Sequence, residues 1–231
     1  MSKIYGIDLE ATGKDPDYAE IVQLGLVATN FATGKHSILM NSKCKPTSGV
    51  IDEGASAVHG LFIENLKYEP LDSVVTQILK LILDDITDNI TILTYNGEHF
   101  DLPILQRYGV QTSHLPNIDM YRVVQRHWHH HGLKLGEVYK SVTGRDLEGS
   151  HDAIPDILAT TRLLEIFLIE TGKTIGQLVH ELSKPVVLDM CFFGKHVGKP
   201  FSAVPTGYLY WMKKNMTGLS VDVKATLEHY L

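Results

Sequence analysis

Hydrophobic positions along the chain follow two periods, and the changes of period mark where strands give way to helices. Residues 3–8 form a short apolar run that closes on a carboxylate, and residues 21–29 (Ile-Val-Gln-Leu-Gly-Leu-Val-Ala-Thr) read as a buried strand. A third strand is expected over 36–41, after the turn signal Thr33-Gly34. The chain then switches to helical spacing over 71–85, with Leu71, Val74, Val75, Ile78, Leu79 and Ile82 on the apolar stripe and Asp72 or Ser73 near the start. A β-branched run at 90–95 predicts a fourth strand, followed by a helix over 98–108 closed by Gly109. A short strand at 117–119 leads into a helix from about Met120, and a further helix over 134–143 stops at Gly144. The longest helix is expected over 152–170, with Leu158, Thr161, Leu164, Ile166, Phe167 and Leu168 inward and Gly172 as its stop.

Strands come first and then alternate with helices. That order predicts an α/β fold with a mixed central sheet and helices packed on it. A boundary is expected near Ser183-Lys184-Pro185. Beyond it lie a strand-like Val186-Val187-Leu188, a loop rich in Gly and Lys at 194–200, and short helices near 207–215 and 220–231. The expected organisation is a main domain over 1–180 and a small C-terminal α/β appendage over 186–231.

Composition narrows the functional classes. Of 231 residues, 44% are hydrophobic and 21% charged, which suits a folded core and excludes a wholly disordered chain. No apolar run is long enough to span a bilayer, and a carboxylate at Asp8 interrupts the opening where a signal peptide would stay apolar. Cys44 and Cys191 are the only cysteines, so a disulfide framework or cysteine-rich zinc site is not expected and a reducing, cytoplasmic setting is. The net charge is −6, against the basic balance of a protein that grips long nucleic acid through many phosphates. The charge is uneven, at −8 over residues 1–184 and +2 over residues 185–231. An acidic body with a basic tail fits a metal site beside a phosphate-contacting patch, and equally a plain solvated surface.

Three places carry candidate chemistry. Asp8 and Glu10, two apart on a strand, face the same side. A hard divalent cation between them, Mg²⁺ or Mn²⁺, would relieve their repulsion, although from the pair alone two solvated acids at a strand end are the better reading. Thr12 and Gly13 follow, giving the backbone a sharp turn where substrate can approach. Asp101 sits in the first turn of a helix, where the macrodipole favours an anion. His151 and Asp156 open the longest helix, with Pro155 tolerated in its first turn. His127 and His129 to His131, around Trp128, read as a helix end and exposed loop in preference to a nickel or zinc tract. His59 and His99 read as structural, and Gln23 as a hydrogen bonder supporting the site.

Taken together, Asp8-x-Glu10-x-Thr12-Gly13, Asn96-x-x-x-Phe100-Asp101 and His151-x-x-x-x-Asp156 resemble the three exonuclease motifs of the DEDDh superfamily. Its members include polymerase proofreading subunits, ribonuclease T, oligoribonuclease and exodeoxyribonuclease X. The resemblance covers about residues 3–170. Val58-His59-Gly60-Leu61 is similar to the loop before the first helix of such proteins, and Tyr95 departs from the His that many members have there. The tail, Phe193-Gly194-Lys195-His196-Val197-Gly198-Lys199 followed by Gly207-Tyr208-Leu209-Tyr210-Trp211, resembles the C-terminal segment of the exodeoxyribonuclease X type.

The resemblance implies a ribonuclease H-like fold and a 3′→5′ exonuclease with two divalent ions, Mg²⁺ or Mn²⁺, at its site. It implies that Asp8 bridges both ions, that Glu10 and Asp156 complete one, and that Asp101 supports the other. His151 is the implied general base on the attacking water, a task suited to an imidazole at neutral pH. Thr12, Gly13, Asn96 and Phe100 are the implied substrate contacts, although Phe100 by itself reads as core. Lys195 and Lys199 are implied phosphate contacts, with the nearby aromatics stacking or packing. The implied partner is nucleic acid with a free 3′ end, with DNA favoured by the tail; no membrane is expected, and protein partners are not legible. The rival readings are an exoribonuclease, a phosphatase built on an acid pair, and a nucleic-acid-binding module without activity. The phosphatase is disfavoured because aspartyl nucleophiles generally come as Asp-x-Asp, and the silent module because all four acids and the His are present.

Overall fold

The computed structural model describes residues 3–86, 89–128, 133–216 and 218–231. Among the described residues, five strands form one sheet: β1 (Lys3–Ala11), β2 (Ile21–Asn30), β3 (Lys35–Lys43), β4 (Thr91–Thr94) and β5 (Asn117–Asp119). Their order is β3-β2-β1-β4-β5, with β1 to β3 an antiparallel meander and β4 and β5 parallel to β1. The mixed sheet is the one the element order predicts. The meander strands run longer than their apolar runs because the ladders continue through polar residues such as Glu10, Asn30 and Lys43.

Alternation on β1 sends its side chains to two different cores. Tyr5, Ile7, Leu9 and Ala11 face a cluster with Val75, Leu79 and Leu83 of α3 (Asp72–Asp85) and Ile104 and Leu105 of α4 (Asp101–Arg107). Ile4 faces the opposite core. That core is built by α5 (Met120–His127), α6 (Leu135–Thr143), α7 (Ala153–Thr171) and α8 (Ile175–Leu182). Two short helices, α1 (Glu53–His59) and α2 (Ile63–Leu66), lie between β3 and α3 and have no counterpart in the periodicity. Val58-His59-Gly60-Leu61, expected as loop, is the end of α1, with Gly60 as its left-handed cap.

Two glycines set how closely α7 lies on the sheet. A Cβ at Gly6 would come within 2.3 Å of Ile157 Cγ2, and one at Gly25 within 2.9 Å of Ala153 Cβ. Gly6 shares its strand face with Asp8 and Glu10, so the close approach of α7 brings its first turn beside those acids. Of the apolar stripe expected for α3, Val75 and Leu79 are buried, joined by Leu83, whereas Leu71, Val74 and Ile78 are exposed. Among the described residues, no helix is long and apolar enough to cross a membrane.

The C-terminal segment has a hydrophobic cluster of its own, from Leu188 to Leu227. It contains α9 (Thr206–Asn215), α10 (Val221–Tyr230) and two 3₁₀ turns at Gly194–His196 and Phe201–Ala203. The strand expected at 186–188 is absent. Val186 N–H donates to Asp222 Oδ1 (3.1 Å) and Leu188 N–H to Thr226 Oγ1 (2.8 Å), so side chains of α10 take the bonds a neighbouring strand would have taken. The appendage is therefore helical, with one isolated bridge between Met190 and Pro200. It is fastened to α5 by a buried ion network. Asp222 accepts from Arg122 Nε (3.2 Å) and Arg126 Nη2 (2.7 Å), and Arg122 Nη1 reaches Glu98 Oε1 (3.1 Å).

Candidate active site

The site lies where β1 outruns its parallel neighbour. β4 pairs with β1 only at Ile4 to Gly6, so the backbone of β1 beyond that point needs another partner on that side. Asp101, at the start of α4, supplies it: Asp101 Oδ1 accepts from Leu9 N–H at 2.9 Å. That bond holds the Asp101 carboxylate between Asp8 and Glu10 in the chain of β1. From the other side, α7 delivers Asp156 in its first turn, and Asp156 Oδ2 accepts from His151 N–H (3.2 Å). Glu10, His151 and Asp156 offer ligating atoms that all lie within 4.8 Å of one another.

Three segments thus converge four carboxylates and an imidazole. Burial, reinforced by the charges of Asp101, Glu10, Asp156 and Asp152, pushes the Asp8 carboxyl well above the usual range. Burial with neighbouring acids pushes Glu10 up to about 8, and burial pushes Asp101 up to about 7 despite the Leu9 hydrogen bond. Asp156 moves up for the same first reason, and its Oδ1 is buried with no hydrogen-bond partner among the described residues. A cluster of oxygen donors that repel one another, one of them orphaned, fits hard divalent cations. An imidazole is the poorer ligand for such ions, which leaves His151 free to handle a proton. His151 is exposed at the rim and adopts a left-handed backbone, φ 65°, unusual outside glycine.

Several supporting residues escaped the sequence. Asp119, buried at the end of β5, accepts from the N–H groups of Asn96 (2.7 Å), Glu98 (3.0 Å) and Tyr121 (3.0 Å). These bonds hold Asn96 in a left-handed turn, φ 63°, which carries the chain from β4 to Asp101. Asp152 caps α7 through Ile154 N–H and accepts from Gln23 Nε2 (3.1 Å). Gln23 also donates to Asn41 Oδ1 (3.0 Å), so its expected supporting role ties β2 and β3 to the start of α7. A signal was present for both, as helix-capping acids before Ala153 and before Met120.

The remaining candidates divide. Asn96, with His151 and Asp156, lines a cleft of about 760 Å³ opening from the carboxylates. Tyr95 lines it too, and its hydroxyl donates to Leu133 O (2.7 Å), so this tyrosine pins the far wall. Thr12 faces inward on the loop, where its Oγ1 accepts from Glu20 N–H (2.9 Å). Gly13 lies against Asp52, where a Cβ would come 2.7 Å from Oδ2, and with Thr12 and Asp52 it lines a small cleft of about 220 Å³. Phe100 packs on the core of α3 and α4 and stays half-buried. Lys195 lines a separate cleft with α9, and that cleft contains none of the four acids. His59 is structural: Nδ1 accepts from Leu61 N–H (3.0 Å), which leaves Nε2 to donate to Ala11 O (3.2 Å). His99 is partly buried, with Nε2 unpartnered. His127 pairs with Glu181 (2.6 Å), and His129 to His131 lie outside the described residues.

Comparison with known proteins now bears on this geometry. The RNase_T family model, described as exonuclease, matches residues 5–164, more than half the chain, with Asp8, Glu10, Asp101 and Asp156 all inside the match. The chain belongs to the RNase_T exonuclease family. It is similar to exodeoxyribonuclease 10 of Escherichia coli K12, 33% identical over 84 residues, a stretch covering 35% of this chain and 38% of that protein. Its fold matches E. coli exonuclease I in complex with a dT13 oligonucleotide, at TM-score 0.64 and 15% identity over 80% of this chain and 46% of that one. It also matches a 3′-exonuclease described with a histone mRNA stem-loop, at TM-score 0.59 and 16% identity over 74% and 82%. The chain thus matches less than half the length of exodeoxyribonuclease 10 and of exonuclease I.

The electrostatics of this RNase_T site give a stability signature. Glu10, Asp101 and Asp119 have raised pKa values in the fold, so these three groups hold more protons in the folded chain than in the unfolded chain between about pH 4 and 8, and they outweigh the opposite effect of the lowered His59, His99 and His196. Stability therefore falls as pH rises across that window. In EDTA, the melting temperature should be higher at pH 5.5 than at pH 8. Added Mg²⁺ or Mn²⁺ should raise it more at pH 8, where the acids are ionised. Differential scanning calorimetry checks both; equal stabilisation at the two pH values would contradict the site.

Proposed function

We propose that the protein is a 3′→5′ exonuclease, cutting phosphodiester bonds at the 3′ ends of DNA, single-stranded or overhanging, and releasing nucleoside 5′-monophosphates. The observation that carries this is the convergence of Asp8, Glu10, Asp101 and Asp156, with an orphaned Asp156 oxygen, beside the exposed His151. Asp8, Glu10, Asp101 and Asp156 would hold two divalent cations, Mg²⁺ or Mn²⁺. Such ions supply Lewis-acid stabilisation to the oxygens of the phosphodiester.

The chain's own side chains do the rest. His151 takes a proton from the attacking water at the rim of the site. The Asp119-held turn keeps Asp101 in place and presents Asn96 to the cleft where the terminal nucleotide sits. At about 760 Å³ that cleft is within the range of small-ligand sites, roughly 300–1,000 Å³. DNA is favoured because the curated relative at 33% identity is named an exodeoxyribonuclease. Initial rates on matched single-stranded DNA and RNA in Mg²⁺ test the substrate. The expected result is faster shortening of DNA; faster shortening of RNA would move the protein to the exoribonucleases.

A further inference from the structure

We propose that the C-terminal segment carries a second nucleic-acid site, a cleft between the Gly194–His196 turn and α9 that stacks a base of a single strand on Trp211 and meets a phosphate with Lys195. The cleft has a volume of about 630 Å³ and is lined by Lys195, His196, Pro205, Gly207, Tyr208 and Trp211.

Its aromatic wall is prebuilt. The Tyr208 and Trp211 rings stack with centroids 5.3 Å apart and planes 17° apart. Lys195 Nζ sits 4.9 Å from the centroid of Tyr208, and the His196 ring meets Tyr208 edge-on at 4.6 Å. The Tyr208 hydroxyl lies where a Cβ at Gly194 would fall, 2.3 Å away, so the glycine, at φ 68°, is needed for the turn and the tyrosine to meet. Trp211 remains 49% exposed even with Tyr208 stacked on it. A flat, rigid aromatic face beside a lysine suits a nucleobase and its phosphate.

His196 points to a missing ligand. It is 9% exposed, lines the cleft, and neither Nδ1 nor Nε2 has a hydrogen-bond partner among the described residues. Buried polar groups are ordinarily satisfied, and an imidazole left with both nitrogens unpaired is costly. A nucleotide reaching the floor of the cleft would supply the bond. Charge favours the same occupant: residues 185–231 hold five lysines against three acids, and one of those acids, Asp222, is buried against Arg122 and Arg126. The site holds a strand to the protein and takes no part in the chemistry.

The test uses the intact protein in EDTA, so that binding is read without hydrolysis. Fluorescence anisotropy of labelled oligothymidylate and oligouridylate is followed with wild type, Trp211→Ala, Trp211→Phe and Lys195→Ala. Trp211→Ala should bind about 5- to 150-fold more weakly, the range for losing one base-stacking contact, and Trp211→Phe should recover most of the affinity. Lys195→Ala should lower the slope of log affinity against log salt by about 0.7. Saturation with either oligomer should quench the emission of wild type and not that of Trp211→Phe. Wild-type affinity in Trp211→Ala, or no quenching, would overturn the proposal. Equal competition by polyglutamate would also overturn it, because plain charge attraction would then suffice. Binding by a protein that cuts nothing would support this site and sink only the nuclease reading.

Discussion

An Asp8→Asn variant folds, binds divalent metal weakly and loses more than about 10³-fold of its phosphodiester hydrolysis. The loss exceeds the usual effect of deleting one transition-state hydrogen-bond donor, about 10²–10³-fold, because Asp8 faces all the other acids of the site. Asparagine keeps the shape and removes the charge. The same substitution should leave the metal-free protein at least as stable as wild type at pH 8. Ionised Asp8 opposes folding there, since burial and three neighbouring acids of the site all raise its pKa. Loss of activity with an unchanged or higher melting temperature in EDTA separates a catalytic role from a structural one. A variant that cuts at the wild-type rate would remove Asp8 from the mechanism.

His151→Ala should lower the rate by about 10²–10⁴-fold, the range for losing a positioned general base, with metal affinity little changed. His151 is exposed and sits at the mouth of a cleft, so a small base from solvent can reach the vacated position. Added imidazole should therefore restore part of the lost rate in His151→Ala and none in Asp8→Asn. Steady-state rates across an imidazole series measure both. A His151→Ala protein with full activity would show that the proton leaves by another route.

Much of this architecture was legible from periodicity and punctuation. α7 has an apolar stripe, Pro155 in its first turn and Gly172 as its left-handed cap, so its ends were readable to within a residue or so. The meander was readable because β-branched runs were separated by turn residues. α8 carries a capping box, Thr174 with Gln177, but its eight residues make only about two turns, too few for its apolar period to stand out. α1 and α2 have too few turns for a period to show. Val186-Val187-Leu188 looked like a strand because β-branched residues favour extended backbone. The backbone there is not in a ladder, since Asp222 and Thr226 of a later helix take its N–H groups.

The site divides in the same way. Its acids and His151 were readable as motifs because each stands at the end of a strand or the start of a helix. What positions them was not. Asp119 gathers three N–H groups from residues 96 to 121, a relation that exists only once β4 and β5 are paired. Gly6 and Gly25 matter through the side chains of α7, more than 120 residues away in the chain. Gly13, expected to let the backbone turn sharply, also makes room for Asp52, the N-cap of α1, a neighbour the local sequence does not announce.

The most direct measurement follows single-stranded DNA labelled at its 5′ end, incubated with wild-type protein in Mg²⁺, in EDTA, and with Asp8→Asn. The expected result is a ladder that shortens one nucleotide at a time from the 3′ end in Mg²⁺ alone, with nucleoside 5′-monophosphates as the released product. Intact DNA in all three reactions, with the protein shown to be folded, would contradict the assignment of these carboxylates to a 3′→5′ exonuclease centre.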